Sequence, residues 1–216
     1  MTVDELEARV KKLEIEVKRS EAVLEIMKVQ SRYNYYLELG FTDRIFSELF
    51  AQKDPNIKCE VVNLFEGHDA VHNMWKAMGG VVAPRGFLGT VMISTPHIQV
   101  NKDATQAKAM WHGFGPNTVN ATPYPCDGEH QDVMTAVWIM LKYNNEYELE
   151  DGKWKIKSLQ LVPIIQCTYE EGWLKQANPR RVIFPPNSGA KESTLYNPYE
   201  PCAYNELLPP PPDPFD

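Results

Sequence analysis

Near the start of the chain, apolar residues recur at helical spacing. Leu6, Val10, Leu13, Val17, Leu24 and Met27 alternate steps of four and three, and Ser20 takes the one missing place. Glu and Lys fill the remaining faces, and neither Pro nor Gly occurs from Val3 to Leu39. The pattern predicts one long amphipathic helix, or two joined near Ser20. Such a stripe either zips to a partner chain or lies on its own domain. Gly40 ends the helix, and Thr42 stands where it would cap a short second one, DRIFSELFAQ, whose Ile45, Phe46, Leu49 and Phe50 keep helical spacing.

After the Asp54-Pro55-Asn56 turn the period changes. IKCEVVNLFEG alternates like a strand and ends at Gly67. HDAVHNMWKAM predicts a third helix, with Ala70, Val71, Met74 and Trp75 inward. A Gly- and Pro-containing loop then leads to four strands, TVMISTPHIQVN, ATQAKAMWHGFG, DVMTAVWIMLKYNNEYELE and KWKIKSLQLVPIIQCTY, with turns at Asn101 to Asp103 and at Asp151-Gly152. Helices followed by an antiparallel meander make an α+β plan, in which one sheet curling around a long helix buries both apolar sets.

From about Gln176 the composition shifts to proline-rich segments that exclude regular helix and central strand. The tail is either disordered or a strap, and interleaved Leu195, Tyr196, Tyr199, Tyr204, Leu207 and Leu208 favour the strap. The chain thus divides into a helical leader (1–20), one domain (21–175) and a Pro-rich tail (176–216).

Composition narrows the function classes. With 216 residues the chain suits one domain and buries roughly 70% of its unfolded surface on folding. A net charge of -7 argues against nucleic-acid binding, and the small basic pair Arg180-Arg181 reads as a solvated turn. The charged N-terminus has no secretory h-region and no apolar run is long enough to cross a bilayer, so the expectation is a cytoplasmic protein without membrane contact. Cys59, Cys126, Cys167 and Cys202 show no CxxC spacing, which indicates reduced thiols rather than a zinc knot or disulfide framework.

Four segments in order carry a family resemblance. SRYNYYLELGFTDRIFSELFA resembles the opening of the SnoaL-like branch of the NTF2-like superfamily, where an Arg-Tyr pair, a later tyrosine and an acid close the first helix. EGHDAVHNMW is similar to the family's Gly-x-x-Ala-Ile helix. PHIQVNKDATQAKAMW resembles its strand pair, and YNNEYELEDGKWKI its hairpin with Asp-Gly-x-Trp. The likeness spans about residues 22 to 165. It implies a cone, a curved, mostly antiparallel sheet wrapped around helices with a pocket at one end, here with the leader and strap added. It also implies cofactor-free chemistry, with dehydratases, cyclases, isomerases, lyases and plain binding modules on one scaffold.

On that scaffold Tyr33 and Glu38, five apart, match a dehydratase tyrosine-acid pair near the pocket mouth. A phenol polarises an oxygen and a carboxylate moves a proton. Tyr36 shares the cavity side and Tyr35 belongs to packing. Asn145 matches the family's inward Asp/Asn, with Tyr143 on its face. Histidine is absent from the two positions where dehydratase-type members carry it, which fall at Thr90 to Met92 and at Trp111. His97 and His112 lie on the same strands, and bulges near Pro96 or Gly113 would turn them inward. His68 and His72 have metal-ligand spacing but lack a third ligand, so helix-start and surface roles are the better reading and no metal is expected. Met92, Trp111 and Trp138 complete an apolar, aromatic wall, which in a binding site suits a flat ring and otherwise is simply core.

The expectation is therefore a cofactor-independent lyase acting on a hydrophobic, hydroxylated aromatic or polycyclic small molecule. The other class is a binding module that turns nothing over; an isomerase or hydrolase on the same pocket is a third. An apolar outer sheet face implies a homo-oligomer, dimer or trimer.

Overall fold

The computed structural model describes residues 1–61, 63–81, 86–126, 129–175 and 188–215. Arg180 and Arg181 lie outside them. The leader and first domain helix are one element, α1 (Val3–Glu38). It starts in a capping box: Thr2 Oγ1 accepts from the Glu5 N–H, and the Thr2 N–H donates to Glu5 Oε2. It ends at Gly40, whose positive φ of 69° lets the chain turn back on itself. There the Gly40 N–H donates to Leu37 O, the Phe41 N–H to Tyr36 O at 2.8 Å, and the Tyr36 and Phe41 rings touch. This is a Schellman stop with its hydrophobic contact.

The second helix is only α2 (Thr42–Arg44), continued by a π-helical turn over Ile45–Leu49. Thr42 does not cap it: the cap position is Phe41, without a side-chain bond, and Thr42 is buried inside the first turn. The IKCEVVNLFEG segment, read as one strand, is a tight antiparallel pair, β1 (Lys58–Val61) and β2 (Asn63–Glu66). Helix α3 (His68–Val81) follows, burying Val71, Met74 and Trp75.

Strands β3 (Met92–Val100), β4 (Gln106–Cys126), β5 (Glu129–Glu150) and β6 (Lys153–Thr168) form the expected antiparallel meander. Strand β1 adds parallel to β6, giving one curved six-stranded sheet in the order β2-β1-β6-β5-β4-β3. The helices lie on its inner face.

The tail, from 188, is a strap across the outer face of its own sheet. Lys191 pairs with Leu64 on β2, and Ser193 and Thr194 bond to Glu60 on β1. The Tyr199 N–H donates to Ile164 O on β6, and Lys142 of β5 donates to the Leu207 and Pro209 carbonyls. Pro212 O meets His97 of β3, and Phe215 lies under Lys108 of β4. Proline suits this path because a strap crossing strands needs only occasional backbone N–H bonds to them, here from Lys191 and Tyr199.

Candidate functional site

The site is built where the inner face of α1 meets the inward phase of β4 and β5. Ala22, Ile26, Gln30, Tyr33 and Asn34 are the buried residues of α1, recurring at steps of four, four, three and one. Facing them on β5 are Leu141, Tyr143, Asn145 and Tyr147, all buried and all in one period-two phase. Beside these, β4 carries Gly113, Trp111, Ala109 and Ala107 in direct register. Small residues thus stand opposite Leu141, Asn145 and Tyr147, while Trp111 faces Tyr143. A Cβ on Gly113 would come within 2.9 Å of Leu141 and 3.1 Å of the Tyr143 ring, so this position admits no side chain without displacing the wall.

Tyr33 sits between α3 and the sheet, edge-on to Trp75 at 5.9 Å and to Tyr143 at 5.8 Å. Trp111 is edge-on to Tyr147 at 5.9 Å. Tyr143 donates its hydroxyl to Asn34 Oδ1 at 2.9 Å.

The orientation of the next three side chains follows from one backbone group. The Gln160 N–H of β6 can only donate, and it meets Asn145 Oδ1 at 3.1 Å. That leaves Asn145 Nδ2 as donor, and it reaches Gln30 Oε1 at 2.9 Å and Tyr147 Oη at 3.1 Å. Tyr147 in turn donates to the same Gln30 oxygen at 2.8 Å. Gln30 must therefore present its amide nitrogen elsewhere, and Nε2 is buried without a hydrogen-bond partner among the described residues. The Trp75 indole N–H is in the same condition, with no acceptor better than the neighbouring Cys59 thiol. Among the described residues, then, Gln30 Nε2 has no acceptor and Trp75 Nε1 has only a weak thiol one, a costly state in a closed core.

Burial pushes the Tyr33, Tyr143 and Tyr147 hydroxyls well above their ordinary values, Tyr33 further through its phenol and thiol neighbours. All three stay protonated at any physiological pH, and Tyr143 and Tyr147 donate, to Asn34 and Gln30. Among the described residues, the side chains bonded into this network are neutral.

Of the sequence-predicted site residues, the fold brings Tyr33, Trp111, Tyr143 and Asn145 together. Glu38, half-buried, ends α1 one turn beyond Asn34, outside the bonded network. Tyr36 does not join this interior, because the helix stop recruits it. Its hydroxyl donates to Glu48 Oε2 at 2.6 Å and accepts from Arg44, whose guanidinium covers the ring at 4.5 Å. The bond to Glu48 raises its pKa, and Glu48 is held low by Arg44 and Tyr36. Tyr35 is 64% exposed, so it is not a packing residue.

Met92 and Trp138 face outward, since Met92 opposes Phe114, and Trp138 stacks on Phe114 at 5.3 Å, away from α1. The expected bulge exists between Ser94 and His97, with Thr95 at φ 51°. It does not turn His97 inward, because the strand enters it in the opposite phase: Ile93, not Met92, points to the core. His97 instead meets Pro212 O and Gln99 on the outer face. His112 lies on that face too, its Nδ1 2.6 Å from Thr95 Oγ1, and β4 passes Gly113 in register. His68 and His72 both pack on Phe46.

Sequence reasoning missed Gln30, Asn34 and Tyr147. Gln30 and Asn34 follow Ile26 at steps of four, and Tyr147 continues the alternation of Tyr143 and Asn145, so the signal was polarity in phase with an apolar face.

The sequence matches the SnoaL-like domain family over residues 18–160, well over half of the chain. The chain belongs to the SnoaL-like family. No curated protein matches it. Among solved structures, this SnoaL-like chain is similar to a Novosphingobium aromaticivorans DSM 12444 protein provisionally named a scytalone dehydratase, at 17% identity and TM-score 0.54 over 76% of this chain and 96% of that one. A hexachlorocyclohexane dehydrochlorinase, LinA type 2, aligns at 13% identity and TM-score 0.53, covering 80% and 98%. The LinA-type3 dehydrochlorinase from Novosphingobium barchaimii LL02 gives 13% and 0.53, covering 73% and 96%. At these identities the likeness establishes the NTF2-like fold. No helix among the described residues is long and apolar enough to cross a membrane.

Proposed function

We propose that this SnoaL-like protein is a cofactor-independent lyase that binds a hydrophobic, oxygen-bearing aromatic or polycyclic molecule between α1 and the sheet. The observation that carries the reading is a pair of buried donors, Gln30 Nε2 without an acceptor among the described residues and Trp75 Nε1 with only the Cys59 thiol beside it. A carbonyl or hydroxyl oxygen of a bound molecule satisfies such donors, and the surrounding phenols and indoles suit its rings. The dehydratase and dehydrochlorinase names of the fold relatives are consistent with elimination chemistry.

In a dehydration, a C–H bond next to the polarised carbonyl breaks and its proton passes to Glu38 at the rim. The C–O bond then breaks, and the hydroxyl leaves as water with the Tyr33 proton; Glu38 releases its proton to solvent and Tyr33 regains one by way of water. Loss of a small carbonyl fragment such as formaldehyde uses the same groups: the hydroxyl proton passes to Glu38, the C–C bond breaks with its electron pair going to the enolate of the polarised carbonyl, and the enolate carbon takes the proton back.

The neutrality of the bonded network, with His97 and His112 on the other face of the sheet, favours a second reading, a binding module without turnover. Incubation with a panel of hydroxylated aromatic ketones and steroids separates the two. The lyase reading expects a product lighter by one water or one formaldehyde, with turnover lowered on the order of a hundredfold by Tyr33→Phe and lost in Glu38→Gln. Full turnover in both variants overturns the role assignment. Quenching of tryptophan fluorescence by a compound that stays unchanged supports the binding module.

A further inference from the structure

We propose that residues 3 to 27 of α1 form a parallel two-stranded coiled coil with a second copy of this chain. The helix carries two faces. Its domain-facing side, Ala22, Ile26, Gln30, Tyr33 and Asn34, is buried. The stripe of Leu6, Val10, Leu13, Val17, Leu24 and Met27 is between 38% and 60% exposed. At 3.6 residues per turn the centres of the two faces are about 145° apart around the axis. Over residues 3 to 21, where α1 is exposed on every side, a partner helix on the stripe meets no part of the domain, and a two-fold axis along the seam puts the two domains on opposite outer sides.

The stripe's own residues select the occupant. Val3, Val10, Val17 and Leu24 take the a positions; Leu6, Leu13, Ser20 and Met27 take d. Branched Val at a with Leu at d is the combination that favours two parallel strands. Flanking charges agree with the direction. Arg9 at g faces Glu14 at e of the other copy, and symmetry makes this pair twice. In an antiparallel pair the e positions face one another, and these are Glu7, Glu14 and Glu21, which would repel. The parallel arrangement carries one unfavourable contact, Glu16 against Glu21. Ser20 is tolerated at the seam because its hydroxyl already donates to Glu16 O at 2.9 Å, so burial orphans no group. The seam ends where position d becomes Asn34, which is committed to Tyr143.

Sedimentation of the full chain tests this. The expected result is a concentration-dependent dimer. Leu13→Glu, at an exposed position of the single chain, leaves the circular dichroism spectrum unchanged and weakens the dimer on the order of a hundredfold or more, since two seam leucines are lost. Arg9→Glu weakens it, and adding Glu14→Arg restores it. In a Cys202→Ser background, Val10→Cys cross-links to its counterpart under oxidation, as a parallel a-a pair requires. A monomer at all concentrations, a dimer indifferent to Leu13→Glu, a trimer, or no Val10→Cys cross-link in the dimer overturns the proposal.

Discussion

The amide nitrogen of Asn145 stands 2.9 Å from Gln30 Oε1, joining strand β5 to helix α1 across 115 residues of sequence. Both side chains are essentially inaccessible to solvent. The pair ties the sheet to the helix and, by fixing the Gln30 amide, creates the free donor on which the proposed site rests.

Asn145→Ala is expected to cost about 1–3 kcal/mol, because the Gln160 N–H, Gln30 and Tyr147 each lose a buried partner. Gln30→Leu has a cost of similar size. The double variant is expected to lose less than the sum, by about 0.5–3 kcal/mol, because the two residues share one network. Urea unfolding of the four proteins measures the cycle.

Gly40→Ala is expected to destabilise by about 1 kcal/mol, since the stop of α1 needs φ of 69° and a Cβ is strained there. The readout is thermal melting. Loosening of the stop also frees Tyr36 from Glu48, which 2D NMR of the tyrosine ring reports.

Glu60 anchors the strap, accepting from Thr194 N and Thr194 Oγ1 at 2.8 and 2.6 Å and from Ser193 and Gln160. Glu60→Ala leaves these donors without their charged acceptor. Limited proteolysis is expected to cleave the tail about tenfold faster or more, as the open population grows, with little change in the core.

Glu66 links the strap to the sheet edge through Lys191 at 2.6 Å and Lys58 at 3.0 Å. Hydrogen bonds from Lys191 first and Lys58 second lower its pKa from 4.5 to about 2. A carboxylate held low stabilises the fold above its unfolded value and stops doing so as pH falls through the folded one. Exchange protection of the reciprocal Leu64 and Lys191 amides is thus expected to fall between pH 4.5 and 2, after correction for intrinsic rates. The effect shrinks at high salt because the pair is partly exposed. Glu66→Gln removes the window.

Local pattern carried much of this molecule. Periodicity placed α1, α3 and the four long strands, because amphipathic spacing is a property of each segment alone. The phase of β5 was legible for the same reason: Tyr143 and Asn145 share a face whatever that face meets. Phase failed where it passed through a bulge, so Met92 and His97 were assigned against the wrong reference. It failed again where IKCEVVNLFEG doubled back, since an alternating run reads the same through a tight reversal.

By itself the chain's order of residues determined which groups travel together on one helix face or one strand face, down to Tyr33 beside Gln30 and the heptad stripe opposite. Only the tertiary structure decided what those faces meet. It drew Tyr36 into a helix stop, sent both strand histidines under the strap side of the sheet, and aimed the Gln30 nitrogen through bonds that begin at the backbone of Gln160. Such outcomes depend on contacts between different elements, from a dozen residues apart for Tyr36 and Glu48 to 115 for Gln30 and Asn145, which no local period encodes.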